Sequence, residues 1–153
     1  MNFRRLAFPL LGVLATVWLA QAQTPAPESK AEGARSLKVK VNYSGTGTVD
    51  EKHKIMVFIF DSPEFTQGSV SPSGVEMTTE KDGTVTFADV PASPIYVAAI
   101  FDPAGNYDGQ SAPPSGSSTG MYTKTPPKPE PVELEKGKPV QIELPFDDRF
   151  KMP

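Results

Sequence analysis

The chain predicts an all-β domain of about seven short antiparallel strands folded into a two-sheet sandwich. Three observations predict it. Apolar residues alternate with polar ones at period two in several short segments, and no segment beyond residue 36 carries the 3.6-residue period of a helix. Turn formers punctuate those segments at close intervals, with 12 Gly and 17 Pro in 153 residues. Cysteine is absent, so the fold must rest on an apolar core rather than on disulfides.

The first 22 residues stand apart from that pattern. Arg4 and Arg5 precede an apolar run at 6–19, and Ala20-Gln21-Ala22 follows as a small-residue cleavage site. This is the layout of a signal peptide, so the expected mature chain starts at Gln23 and is periplasmic or secreted, with no membrane span left after cleavage. Retention of 1–22 as an N-terminal anchor is the alternative. Residues 23–36 are Pro, Ala and charge without periodicity and read as a flexible linker. Residues 37–153 then form one domain, since the 131 residues left after the leader suffice for a single core. The leader takes two arginines with it, leaving 13 basic residues against 18 acidic ones, mixed along the chain. No basic stripe exists to hold nucleic acid or an anionic membrane.

Taken in order, 37–43 alternates with Leu37, Val39, Val41 and Tyr43 on one face, a half-buried strand. Residues 54–60 are apolar at nearly every position and β-branched or aromatic, which predicts a central strand covered on both faces. A Gly- and Pro-bearing loop leads to a short strand at 75–79. Lys81-Asp82-Gly83 signals a hairpin turn, and 84–88 returns with Val85 and Phe87 on one face. Pro91 and Pro94 make a corner before the second strongly apolar strand at 95–101. Residues 102–131 hold seven Pro and four Gly and predict a long irregular loop. Segments 131–135 and 140–144 alternate around Glu135-Lys136-Gly137-Lys138 and predict a C-terminal hairpin with a wet face of glutamates. Phe146 and Phe150 in the tail are placed to tuck against the core.

Seven such strands suit a sandwich of either the transthyretin (prealbumin) or the immunoglobulin kind, and the Cys and Trp signature of antibody domains is missing. The run Asp82-Gly83-Thr84-Val85-Thr86-Phe87, then Val90-Pro91, then Tyr96-Val97, resembles the Gly-x-x-x-Phe-x-x-Leu/Val-Pro-x-Gly-x-Tyr-x-Val pattern of transthyretin-like, carboxypeptidase-regulatory-like sandwiches. It is similar as well to small exported bacterial domains of unknown function, in which an acidic loop follows the next strand, as Asp102 to Gly109 does here. Two departures stand out: Ser93-Pro94 replaces the glycine of the corner, and Pro103-Ala104 thins the acidic loop.

Candidate chemistry is sparse. Asp102, Asn106 and Asp108, with Gly105 and Gly109 between and after them, offer oxygens to a calcium ion, the one cofactor the sequence brings to mind. Ala104 and Tyr107 occupy positions where an EF-hand-like loop needs a ligand and a glycine, and the competing reading is a turn whose carboxylates bond their own backbone. The single histidine, His53, lies between Lys52 and Lys54 with no nucleophile pattern around it. No catalytic constellation is present, so the expectation is a non-enzymatic protein with a binding or structural role in the cell envelope. Tyr107, Met121 and Tyr122, set among serines and threonines, are the candidate ligand contacts, for an unidentified protein or glycan of the envelope. Two further readings stand beside this one. The first is a carbohydrate-binding module. The second is an accessory subunit of an envelope assembly, docking by an edge strand drawn from 37–43 or from the C-terminal hairpin.

Overall fold

The structure is a computed structural model that describes residues 33–67 and 70–153. The predicted leader (1–22) and residues 23–32 of the predicted linker lie outside the described residues. The described chain holds seven strands: β1 (Ser36–Tyr43), β2 (Ile55–Phe60), β3 (Gly74–Thr78), β4 (Thr84–Phe87), β5 (Tyr96–Phe101), β6 (Ser118–Met121) and β7 (Pro139–Phe146). A single 3-10 turn, Pro63–Gln67, follows β2. Among the described residues no α-helix occurs, and no helix is long and apolar enough to cross a membrane.

Two sheets face each other in a sandwich-like pair of layers. One has the order β4-β1-β7 and the other β3-β2-β5-β6. Period-two patterning dictates what lies between them. Leu37, Val39, Val41 and Tyr43 of β1, Val85 and Phe87 of β4, and Ile142, Leu144 and Phe146 of β7 meet Ile55, Val57 and Ile59 of β2 and Val97, Ala99 and Phe101 of β5 in one continuous core. The rings of Tyr43, Phe101 and Phe146 close one end of it, with centroids 4.9 Å and 4.8 Å apart across the two pairs that Tyr43 makes.

Several expectations are corrected. The sheets are not wholly antiparallel: β1 and β7 pair in parallel from Ser36↔Pro139 to Tyr43↔Phe146. The hairpin expected between the third and fourth strands does not form. β3 pairs with β2, while β4 crosses to the other sheet and pairs with β1. The intervening turn belongs to β1's ladder, because Val41 and Tyr43 donate their N–H groups to the carbonyls of Gly83 and Lys81. Placing Val85 opposite Val39 and Phe87 opposite Leu37 keeps the apolar faces of both strands in the core.

The C-terminal hairpin is also absent. The turn around Gly137 exists, but its arms part: Val132 bridges to Ile95, and β7 pairs with β1. Leu134 is drawn toward the first arm's partners, its N–H bonded to Ser93 Oγ at 2.8 Å and its carbonyl to Arg35 Nε at 3.2 Å. Residues 102–131 are not strandless, since β6 lies within them. The linker ends before residue 36: Arg35 is tied to Leu134, Val90 and Pro91, and Ala34 to Gly137. Finally, 37–43 is no edge, because β1 sits between β4 and β7, and Phe150 stays 66% exposed while Phe146 packs inside.

Candidate functional site

The same alternation that fills the core also sends a second set of apolar side chains out of the four-stranded sheet. On β2 these are Met56, Phe58 and Phe60, and on β5 they are Tyr96, Ala98 and Ile100, with Met121 of β6 directly opposite Ala98. An antiparallel sheet with one wet face would carry polar residues there. Instead Phe58, Phe60 and Ala98 are buried, and Met56, Phe65, Val70, Tyr96, Ile100 and Tyr107 pack against them. The small Ala98 between Phe58 and Met121 leaves a trough along the middle of the sheet.

Two walls rise from this floor. After β2, the 3-10 turn lays Phe65 flat on Phe60, with centroids 4.4 Å apart and planes 10° from parallel, a contact of about 1 kcal/mol beyond its buried area. The opposite wall is the loop that follows β5, and Asp102 shapes it. Its buried carboxylate accepts the N–H groups of Ala104 (2.9 Å), Asn106 (2.9 Å) and Tyr107 (3.0 Å). Tyr107 is thereby aimed back over the sheet, its ring 6.2 Å from that of Phe58, and its hydroxyl donates to the carbonyl of Ser111 at 3.2 Å. Burial, with Asp108 nearby, pushes the Tyr107 phenol up, so it remains a donor at neutral pH. Gly109 follows with φ of 75°, and a side chain there would press on Met56 Sδ, so only glycine lets the loop lie this close.

The result is a cleft of about 670 Å³ between the two walls, bounded beyond β6 by Pro126, Pro127 and Phe150. This volume suits a small organic ligand or a few side chains of a partner. Its polar side chains are Ser71, Gln110, Ser111, Thr119, Thr123 and the Arg149–Asp147 ion pair, 2.7 Å between Nε and Oδ2. A smaller hollow of about 380 Å³ on the far side of Tyr107 is lined by Glu51, Lys52, Lys54 and Asp102 as well as by Met56 and Met77.

Of the sequence-derived candidates, Tyr107 and Met121 both line the cleft. Tyr122 does not: one residue further along β6's direction, it turns inward and packs against the core. The three residues considered for calcium lie in one loop. Asp102 is committed to main-chain amides, Asn106 points outward, and Asp108 accepts from Gln110 N–H, Ser111 N–H and Ser111 Oγ in its own turn. Among the described residues no three His, Cys, Asp or Glu come together in a group able to hold a metal ion. His53 Nδ1 lies 2.9 Å from Asp50 Oδ1 in a turn whose amides the same carboxylate caps. Sequence reasoning missed Phe58, Phe60 and Phe65 as site residues. The available signal was that β2 is apolar at all six positions, which requires a cover over its outer face.

Comparison with protein-family models, with curated proteins and with solved structures finds no match.

Proposed function

We propose that this domain is a non-enzymatic binding module that takes an apolar or aromatic group in the cleft over the four-stranded sheet. The observation that carries the reading is the cleft itself: a sheet face with Phe58, Phe60, Ala98, Ile100 and Met121 on its floor, walled by Phe65 and Tyr107. A carbohydrate site needs a dense set of hydroxyl and amide partners over an aromatic platform, and here the buried floor of Phe58, Phe60 and Ala98 is apolar. An apolar ligand, or apolar side chains of a partner protein, is favoured over a glycan. The leader-like residues Arg4, Arg5, 6–19 and Ala20-Gln21-Ala22 support a place of action in the periplasm or outside the cell.

The strand order supports the transthyretin-like side of the resemblance. An immunoglobulin constant domain keeps its first two strands in one sheet. Here β1 and β2 lie in different sheets, and the first strand pairs in parallel with the last.

The cleft reading is tested by titrating the protein with the apolar fluorophore anilinonaphthalene sulfonate and, separately, with soluble oligosaccharides. Saturable dye binding at one site, weakened tenfold or more in Met121→Lys with an unchanged melting temperature, is the expected result. Heat from an oligosaccharide, or dye binding indifferent to Met121→Lys, sinks it.

A further inference from the structure

The two sheets have four outer edges: β3 and β6 in one, β4 and β7 in the other. Exposed edges invite pairing with other chains, and proteins blunt those they do not use. β7 carries Pro139 and Pro145, which lack the N–H a ladder needs. β6 is covered by the C-terminal residues, with Thr119 N–H bonded to Phe150 O and Met152 N–H to Ser117 O, both at 2.9 Å. β4 has four residues and turns only Thr84 and Thr86 to solvent, so an added strand would bury little apolar surface there.

β3 has no such guard. Gly74-Val75-Glu76-Met77-Thr78 holds no proline or lysine, and among the described residues its main chain is paired on one side only, to β2. Val75 and Met77 stand opposite Phe58 and Met56 on the outer face, yet are 39% and 52% exposed, among the few large apolar side chains left open. Glu76 points to the other face, is exposed, and makes no ion pair among the described residues.

We propose that β3 is a docking edge for an extended segment of another protein, in which a lysine or arginine is flanked on both sides by apolar residues. Main-chain bonds add the segment as a fifth strand, and alternate side chains set its identity. The flanking apolar residues cover Val75 and Met77 and extend the outer apolar face. The basic residue between them projects to the other face, beside Glu76, as a cross-strand charge pair. Val75 and Met77, exposed beside Phe58 and Met56, favour apolar residues on the outer face and so set the segment's parity. A second copy of this chain fits poorly: full antiparallel pairing of β3 with itself places Glu76 opposite Glu76. This docking edge stands independently of the cleft.

The test uses the whole chain, labelled with 15N, and two blocked peptides, Ser-Thr-Val-Lys-Val-Thr-Ser and the same peptide with Glu for Lys. The lysine peptide is expected to shift the amide resonances of residues 74–78 and to bind about fivefold more tightly than the glutamate peptide, with Glu76→Lys reversing that order. Three results overturn the proposal: shifts confined to β4, β7 or the cleft, a preference that Glu76→Lys leaves unchanged, or light scattering that shows β3 occupied by a second copy.

Discussion

Asp102 and Asp148 show how one side-chain type organises this protein without chemistry of its own. Asp102 folds the loop after β5 onto three main-chain amides and so aims Tyr107. Asp148 joins three distant pieces of chain: it accepts Tyr43 Oη at 2.6 Å, Ser118 Oγ at 2.7 Å, and the N–H and Oγ1 of Thr46 at 2.8 Å and 2.9 Å. The hydrogen bond from Tyr43, followed by those from Thr46 and Ser118, holds the Asp148 carboxyl well below the usual carboxylate range. An amide at this position offers one acceptor where two are used and turns an N–H₂ toward donors. Asp148→Asn is expected to cost about 2 kcal/mol, read from urea unfolding at neutral pH. Because the native pKa is depressed, Asp148's contribution is complete above about pH 4 and fades as pH falls below it. The gap between wild type and Asp148→Asn should therefore narrow in acid, and a gap constant from pH 7 to pH 2 would refute this role. Gly120 acts by absence: β6 crosses so close to Phe146 that any side chain there would occupy the ring's place.

At the scale of elements, strands with strict alternation were legible and their partners were not. β1, β2, β4, β5 and β7 all fall where apolar residues recur at period two or run unbroken, because burial on a pleated surface writes that pattern directly. β6 was invisible, since Ser118-Thr119-Gly120-Met121 carries a glycine where the pattern wants an apolar residue, and close approach to Phe146 is what demands it. Pairing departs from expectation where a turn signal predicts a hairpin: Asp82-Gly83 and Lys136-Gly137 both reverse the chain, but each hands it to the other sheet. Of the seven residues that form the floor and walls of the candidate site, two are legible in the sequence. Composition points to Tyr107 and Met121, while the buried aromatic floor reads as core because a sequence does not say which face a doubly apolar strand presents. The tail beyond β7 is an element in its own right. A chain ending at Asp148 keeps the carboxylate hub but loses the bonds of Phe150 and Met152 to β6. Amide exchange at Thr119 should then rise about tenfold while Val39 and Val41 in β1 keep their protection. Equal acceleration in both strands would show that the tail supports the whole domain rather than one edge.

The whole molecule relies on one core spanning both sheets and on a polar hub at one end of it. That hub also bounds the alkaline side. Burial, and then the bond to Asp148, push the Tyr43 phenol up to about 12. A raised pKa stabilises the fold fully below the phenol's ordinary value of about 10 and loses that contribution as pH climbs through the native one. Melting temperature should accordingly hold nearly level from about pH 5 to about pH 9 and fall toward pH 12, and Tyr43→Phe should abolish the hub's share of that alkaline fall. A fall of the same size in Tyr43→Phe would place its origin elsewhere.

The parallel pairing of β1 with β7 also decides how the domain bears load. Tension applied through its two ends draws the first and last strands past each other lengthwise. Eight facing residue pairs, from Ser36↔Pro139 to Tyr43↔Phe146, then resist together in shear, whereas a hairpin joining the ends would peel open one rung at a time. A protein tethered at one terminus and pulled at the other would load that seam in shear once the bonds of Phe150 and Met152 to β6 had parted.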